Sequence, residues 1–423
     1  MSVVNGLSRA LGRGSGTVAG GRAGLALDPG LLAALASGRR VALVSGTNGK
    51  TTTTRLLATA IAGDVDGSVV SNDTGANMPA GHVAALAGAP DAAVAVLEVD
   101  EGYLGRLVTD THPEVIVLLN LSRDQLDRIA EVRMLVDRWR TALAGLTPPS
   151  AGATGTVVVA NADDPMVAWA AGAAPEVRWV GAGQVWHEDA VGCPACGGRI
   201  TYPPDGRWTC DRCDFARPAV AADVVGDELV LADGTRHPIR IALPGQFNRA
   251  NAGMVAVAAL AMLGAIRSGG DADGPPTVDQ VLARIRGVTE VAGRFSTVER
   301  HGRPVRLLLA KNPAGWTAIF DLLDEAPRRD APVVLSVNAR TADGLDPSWL
   351  WDVPFERLAG RSVVATGDRR LDLAVRLRYA EVGHAIVDGP IAALDHALGG
   401  TAADATAEFL GNYTAFADLR RAL

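Results

Sequence analysis

The segment VALVSGTNGKTTTTRLL, residues 41–57, narrows the fold more than any other part of this 423-residue chain. An apolar run of strand length leads into a Gly-rich loop, then a lysine, then four threonines that open a helical pattern. Strand, loop and helix in that order make a phosphate-binding unit of an α/β domain. The glycines let backbone N–H groups approach phosphate oxygens, and the helix adds its positive N-terminal end. Lys50 is placed to reach the β- and γ-phosphates, and the Thr51 hydroxyl to bind Mg²⁺. Gly46, Thr47, Asn48, Gly49, Lys50, Thr51 and Thr52 are therefore the expected contacts to a nucleotide. One departure from the usual loop is visible: the glycine normally found five residues before Gly49 is replaced by Val44.

Around this unit the chain alternates between two periodicities. VALVS (41–45), VAVLEV (94–99), VIVLLN (115–120) and TVVVAN (156–161) are near-continuous apolar runs, which suit parallel strands buried on both faces. MLVDRWRTAL (134–143) and NAGMVAVAALAML (251–263) are read as helices. The alternation implies a doubly wound α/β domain. Residues 1–38 are expected to form an N-terminal extension, Gly-rich and with one short helical stretch at 31–36. A nucleotide-binding central domain is expected over 39–298, interrupted by a Cys-rich insertion at 185–218. After the loop at 268–276 and GRF at 293–295 the pattern restarts with VRLLLAKN, PVVLSVNAR and SVVATGD. A smaller C-terminal α/β domain is therefore expected over 299–423.

Composition excludes several function classes. The net charge of −7 argues against a nucleic-acid binder that relies on a broad basic surface. No apolar run approaches the roughly 20 residues of a membrane span. The N-terminus, MSVVNGLSRALGRGSG, has no apolar core followed by a cleavage site, so a cytoplasmic location is expected. There, four cysteines are metal ligands more readily than disulfides. Cys193-x₂-Cys196 and Cys210-x₂-Cys213, thirteen residues apart, have the spacing of a tetrahedral Cys₄ zinc ribbon. Four thiolates leave no open position for water, so this zinc is expected to be structural. Of 40 basic residues only two are lysines, Lys50 and Lys311, and each lies in a loop-like motif.

A carboxylate should complete a magnesium site beside the loop. VLEVDE supplies Glu98, Asp100 and Glu101 at the end of a strand. Glu98 lies within the apolar run, where an acid needs a partner such as a metal. Asp100 and Glu101 are equally well read as loop acids. NLSRDQLDR (120–128) adds Asn120, Arg123, Asp124 and Asp127, either as a helix-capping segment or as part of the site.

GTNGKTTTT, the VLEV glutamate, NADDP (161–165), GQFNRAN (245–251) and GRF (293–295) occur in the order found in the Mur ligase family, which this chain resembles over roughly residues 38–300. The resemblance implies an enzyme that uses ATP and Mg²⁺ to turn a carboxylate into an acyl phosphate, which an amine then attacks. It places Lys50 and Glu98 in the catalytic machinery. It implies that Asn161, Asp164, Asn248 and Asn251 line the nucleotide pocket, and that Arg294 approaches the phosphates. The departures are informative. Fewer than 50 residues precede the loop, so the UDP-sugar-binding domain usual in the family is missing from this stretch. No lysine lies between Lys50 and Lys311 to serve as the carbamylated metal ligand of many members. Gln125 and Phe247 stand where the family motifs usually carry histidine.

The Cys-rich insertion, the missing domain and the polar C-terminal loops LLLAKNPAGW, SVNARTADGLDPSWLWD and VVATGDRRLDLAVRLRYAE resemble one branch of the family in particular, the ligase-like subunits of lipid II isoglutaminyl synthases. This implies amidation of the D-glutamate α-carboxylate in the lipid II stem peptide to D-isoglutamine. Ammonia would come from a glutamine amidotransferase of the GatD type. A heterodimer working at the inner face of the membrane is expected, with peripheral contact only. An aspartate of the C-terminal domain is implied to complete the partner's Cys–His pair. Asp343, Asp346 and Asp352 compete for that part, and Asp352, which follows Trp349 and Trp351, is favoured. Two alternatives stay open: an amino-acid-adding ligase of the Mur or folylpolyglutamate type, and a non-catalytic nucleotide-binding scaffold subunit.

Overall fold

Strands without polar alternation are stable only when both faces are covered, and the first sheet is covered in this way. The computed structural model describes residues 18–65, 68–72, 75–123, 132–148, 155–184, 186–204, 206–267, 276–289, 295–325, 328–399, 401–402 and 405–423. The chain divides into two units, Met1–Leu121 with Glu131–Thr289, and Ser122–Ala130 with Glu290–Leu423.

In the first unit, β1 (Arg40–Ser45), β2 (Val69–Ser71), β3 (Val94–Val99), β4 (Val115–Leu118), β5 (Val157–Asn161) and β6 (Val177–Gly181) run parallel. A small hairpin, β7 (Ile200–Thr201) and β8 (Thr209–Cys210), stands apart from the main sheet. β9 (Ala222–Val225), parallel to β6, then extends that sheet, followed by β10 (Glu228–Leu231) and β11 (Arg236–Pro238) in antiparallel pairings, in the order β11-β10-β9-β6-β5-β4-β1-β3-β2. Val41, Leu43, Leu97, Ile116 and Val158 pack into one buried cluster. Ala42, Val44, Val96, Val117 and Val159, which alternate with them, are equally buried. The helix Lys50–Ile61 packs on the long helix Gln246–Arg267.

β1 lies between β3 and β4, so the crossover direction reverses at its carboxyl end. That is where open α/β sheets place ligands. The loops leaving β1, β3, β4 and β5 all emerge on this edge and carry Gly46, Glu101, Asn120 and Asn161.

The N-terminal region differs from expectation. Besides the helix Leu31–Ala36, a second helix spans Ala19–Leu27 and packs against the helix Pro79–Gly88. Its sequence, AGGRAGLAL, hides it, because glycine weakens a helix. Packing explains the glycine: a Cβ built on Gly21 would fall 1.9 Å from the Ala80 carbonyl oxygen. Close approach of the two backbones outweighs the lost propensity.

The second unit holds β12 (Phe295–Arg300), β13 (Arg303–Leu309), β14 (Val333–Ser336), β15 (Val363–Thr366), β16 (His384–Ile386) and β17 (Ala407–Gly411). Their order is β12-β13-β17-β14-β15-β16, parallel except for the β12–β13 hairpin. Val305, Leu307, Val334, Val364 and Phe409 form its core. Lys311, Asn338, Asp368 and Asn412 follow the carboxyl ends of β13, β14, β15 and β17. Among the described residues no helix is long and apolar enough to cross a membrane.

Replacing Gly21 with valine should lower stability by about 1–3 kcal/mol, the usual cost of overpacking. Thermal unfolding of the full chain measures this, and an unchanged midpoint would show that the close approach to Ala80 is not needed.

Candidate active site

The loop after β1 is built by two glycines in the left-handed half of backbone space, Gly46 with φ +143° and Gly49 with φ +88°. Neither tolerates a side chain. A Cβ on Gly46 would meet Leu119 and Asn120, and one on Gly49 would meet the Asn251 amide at 3.0 Å. Asn120 ties the loop down from β4. Its side chain accepts from the Asn48 N–H at 2.9 Å and donates to the Asn48 carbonyl at 3.0 Å, while its own carbonyl accepts from Thr47 N–H at 2.8 Å. Asn120 therefore helps to hold the phosphate loop in shape. Thr47, Lys50, Thr51 and Thr52 are all buried against this frame.

Lys50 is only 2% exposed. Its Nζ donates to the Gly46 carbonyl at 2.5 Å, the Thr47 carbonyl at 3.2 Å and the Glu101 carboxylate at 2.9 Å. In the sequence Glu101 reads equally well as a site acid or a loop acid, and its pairing with Lys50 is not foreseen. The signal available was its place three residues beyond Glu98, at the same strand end.

Glu98 is 1% exposed. Its Oε1 accepts from Asn77 Nδ2 at 3.3 Å, while its Oε2 is buried with no hydrogen-bond partner among the described residues. The backbone around it is fixed: Asn72 bonds both the Glu98 N–H and carbonyl, and His82 Nε2–H donates to the same carbonyl at 2.7 Å. Burial pushes the His82 imidazole down to about 4, so the ring is neutral. A buried carboxylate oxygen left open beside a phosphate loop fits a hard cation such as Mg²⁺, which Glu98 and Thr51 could hold.

The other expected nucleotide contacts among the described residues are buried, and hydrogen bonds hold Asn161, Asp164 and Asn248. The Asn161 amide accepts from Asp163 N–H at 2.9 Å and donates to the Gly183 carbonyl at 3.2 Å. Asp164 is fully buried. Its Oδ1 caps the helix Pro165–Ala171 through the Met166 and Val167 N–H groups, and its Oδ2 accepts from Leu121 N–H at 2.8 Å. Burial pushes this carboxyl up to about 6, against the pull of those bonds. Asp164 thus fastens β4's exit loop to β5's. Asn248 donates to the Pro244 carbonyl at 2.6 Å, and Phe247 packs on Gly245. Arg294, Asp124, Gln125 and Asp127 lie outside the described residues.

Cys193, Cys196, Cys210 and Cys213 converge, with all four sulfurs within 4.8 Å of one another and no disulfide among them. The Gly198 and Arg212 N–H groups donate to the Cys196 and Cys210 sulfurs at 3.3 Å. Four thiols with backbone N–H donors can hold a tetrahedral metal such as zinc. Trp208 packs with Cys193 and Ile200, and its indole N–H donates to the Ala162 carbonyl at 2.9 Å. The cluster therefore braces the segment that carries Asn161.

The three candidate acids of the C-terminal unit have different environments. Asp343 is 3% exposed and bonded to the Thr414 N–H and hydroxyl. Asp346 accepts from Ser348 N–H at 2.8 Å, which holds its carboxyl below the usual range. Asp352 is 39% exposed, with the Arg123 guanidinium 3.6 Å away. Beside it Trp351 is exposed, as are Leu371, Val375 and Tyr379, spaced one helical turn apart on the helix Arg370–Tyr379.

Residues 44–260 match the Mur ligase middle domain, and residues 309–416 match the MurT ligase C-terminal domain. The chain is 30% identical over 399 residues to the Lipid II isoglutaminyl synthase (glutamine-hydrolyzing) subunit MurT of Staphylococcus aureus (strain COL), covering 89% of this chain and 85% of that one. It belongs to the MurT branch of the Mur ligase family. The MurT subunit of Streptococcus pneumoniae is 32% identical over 406 residues, 88% of this chain and 83% of that one. In fold, the chain is similar to a pseudomurein peptide ligase type C from Methanothermus fervidus, with a TM-score of 0.64 at 18% identity over 91% of this chain and 79% of that one. The first sheet is thus a Mur-ligase-type P-loop domain that carries a four-cysteine insertion, and the second is the smaller α/β domain of the MurT branch.

Cys193→Ser should lower the thermal midpoint of the chain and reduce its zinc content, because a structural zinc contributes directly to folding. Metal analysis by mass spectrometry should find one tightly held zinc per wild-type chain, and a chain that purifies metal-free with the same midpoint would contradict this.

Proposed function

We propose that this chain is the synthetase subunit of a lipid II isoglutaminyl synthase. The observation that carries the reading is the match to MurT subunits across both sheets, which joins a P-loop domain to a C-terminal domain specific to that branch. The substrate is the free α-carboxylate of D-glutamate in the lipid II stem peptide. The γ-phosphoryl group of ATP passes to a carboxylate oxygen and ADP leaves. Ammonia then attacks the acyl carbon, the C–O bond to phosphate breaks, a proton is lost from nitrogen, and D-isoglutamine remains.

The named residues supply this chemistry as follows. Gly46, Thr47, Asn48, Gly49, Thr51 and Thr52 hold the phosphates through backbone amides and hydroxyls, and Lys50 offsets the charge that shifts between γ-phosphate and ADP. Thr51 and Glu98 would hold Mg²⁺, which would supply charge neutralisation at the phosphate oxygens. Asn161, Asn248 and Asn251 border the nucleotide in the central domain, 39–298, with Asp164 acting through the loop it fastens and Arg294 as a further phosphate contact. The zinc ribbon, 185–218, stiffens the Asn161 segment and takes no part in the reaction.

The nucleophile calls for a partner. At neutral pH free ammonia is mostly ammonium, which is not nucleophilic, so local release raises the effective concentration. A glutaminase of the GatD type needs a nucleophilic cysteine, and all four cysteines of this chain lie in the metal cluster. Asp352 is the acid this chain offers to that partner's Cys–His pair. Its exposure, beside an apolar stripe of Trp351, Leu371, Val375 and Tyr379, favours it over the internally bonded Asp343 and Asp346. The work takes place in the cytoplasm, at the inner membrane face where the lipid-linked stem peptide is presented.

Asp352→Asn should leave the two-subunit complex assembled, abolish amidation driven by glutamine and spare amidation driven by high ammonium. Comparing the two nitrogen sources in one ATP-turnover assay checks this, and glutamine-driven activity that survives the substitution would remove Asp352 from the role.

A further inference from the structure

The Lys50 ammonium has three protons to donate, and among the described residues the Gly46 carbonyl, the Thr47 carbonyl and the Glu101 carboxylate already accept from it. Phosphate oxygens can be bonded by this nitrogen only if one of those acceptors yields. The two carbonyls belong to the loop itself and are neutral. The carboxylate is the competitor, because it carries the same charge as the phosphate and occupies the same ammonium.

Glu101 is not placed there by chance of a mobile loop. The Trp139 indole N–H donates to the Glu101 carbonyl at 2.9 Å, and Trp139 is 1% exposed. Asp100 accepts from Gly102 N–H at 3.1 Å, and its own N–H donates to the Asn77 carbonyl at 2.9 Å. The backbone on both sides of Glu101 is thus pinned, and only the side chain can turn. With Glu101 8% and Lys50 2% exposed, the pair is little screened by solvent.

We propose that Glu101 is a positioning residue that competes with the β- and γ-phosphates for Lys50, weakening the hold on ATP and ADP and so speeding ADP release. It rests on the reading of Lys50 as the phosphate lysine. The carboxylate holds the Lys50 Nζ beside the Gly46 and Thr47 carbonyls of the loop. It also returns to the ammonium as ADP departs, so the charge is never left bare in a dry site. A P-loop without such a competitor would bind nucleotide more tightly and turn over more slowly, since tight binding of the product lowers kcat without helping the chemical step.

The test is calorimetric titration of the full-length chain with MgATP, MgADP and AMP. Glu101→Gln keeps the shape and one hydrogen bond but removes the charge. It should tighten ATP and ADP by about tenfold, a conservative fraction of what a buried charge pair is worth, and leave AMP, which lacks the β- and γ-phosphates, unmoved. Both KM for ATP and kcat should fall. A merely structural role for Glu101 would loosen binding instead. In a Lys50→Met background the substitution should no longer shift ADP affinity, and a gain that persists there would overturn the pairing. If the glutamine variant does not fold, Glu101→Asp carries the test, with a smaller shift in the same direction. Unchanged or weaker ATP and ADP binding in a folded variant overturns the proposal. A wild-type chain that binds ATP no better than AMP would instead overturn the phosphate role of Lys50.

Discussion

A single buried positive charge organises the first sheet. Lys50 is almost fully enclosed, and an ammonium at that depth persists only if acceptors meet it. Its partners come from three places: the loop after β1, which supplies the carbonyls of Gly46 and Thr47, the end of β3, which supplies Glu101, and indirectly β4, whose Asn120 fixes Asn48 and Thr47. The strand order explains why these meet. β3 and β4 flank β1, so the loops that leave them converge on the edge where the chain reverses direction.

The second layer of support comes from polar side chains bonded to backbone rather than to one another. Asn72 and His82 fix Glu98, Asp164 joins the exits of β4 and β5, and Trp208 ties the cysteine cluster to Ala162. Each such bond satisfies a buried group that would otherwise cost about 1–3 kcal/mol. In the frame of Glu98 its own Oε2 and His82 Nδ1 are left unbonded among the described residues, and Glu98 Oε2 lies where the family chemistry calls for a cation.

Much of this was legible in the residues alone. The strands at 41–45 and 94–99 and the long helix after GQFN follow from unbroken apolar runs and Gly punctuation, which local physics decides. The cysteine cluster follows from spacing. What escaped was decided by tertiary contact. Gly21 sits in a helix because a neighbouring backbone needs its missing side chain, a reason not written near it in sequence. The short strands β9 to β11 and the pairing of Glu101 with Lys50 depend on which strand ends become neighbours, and strand order is not a local property. The partners of Asp164 were hidden for the same reason: its oxygens accept from N–H groups of two loops far apart in sequence.

The central claim is activation of a carboxylate by phosphoryl transfer, and isotope transfer tests it most directly. The stem-peptide substrate would carry ¹⁸O in the D-glutamate α-carboxylate, and the inorganic phosphate released with ATP and ammonium would be analysed by mass spectrometry. The account predicts one labelled oxygen in the phosphate for each amide formed, because the oxygen that accepts the γ-phosphoryl group leaves with it. Amide formation with unlabelled phosphate would contradict the acyl phosphate route.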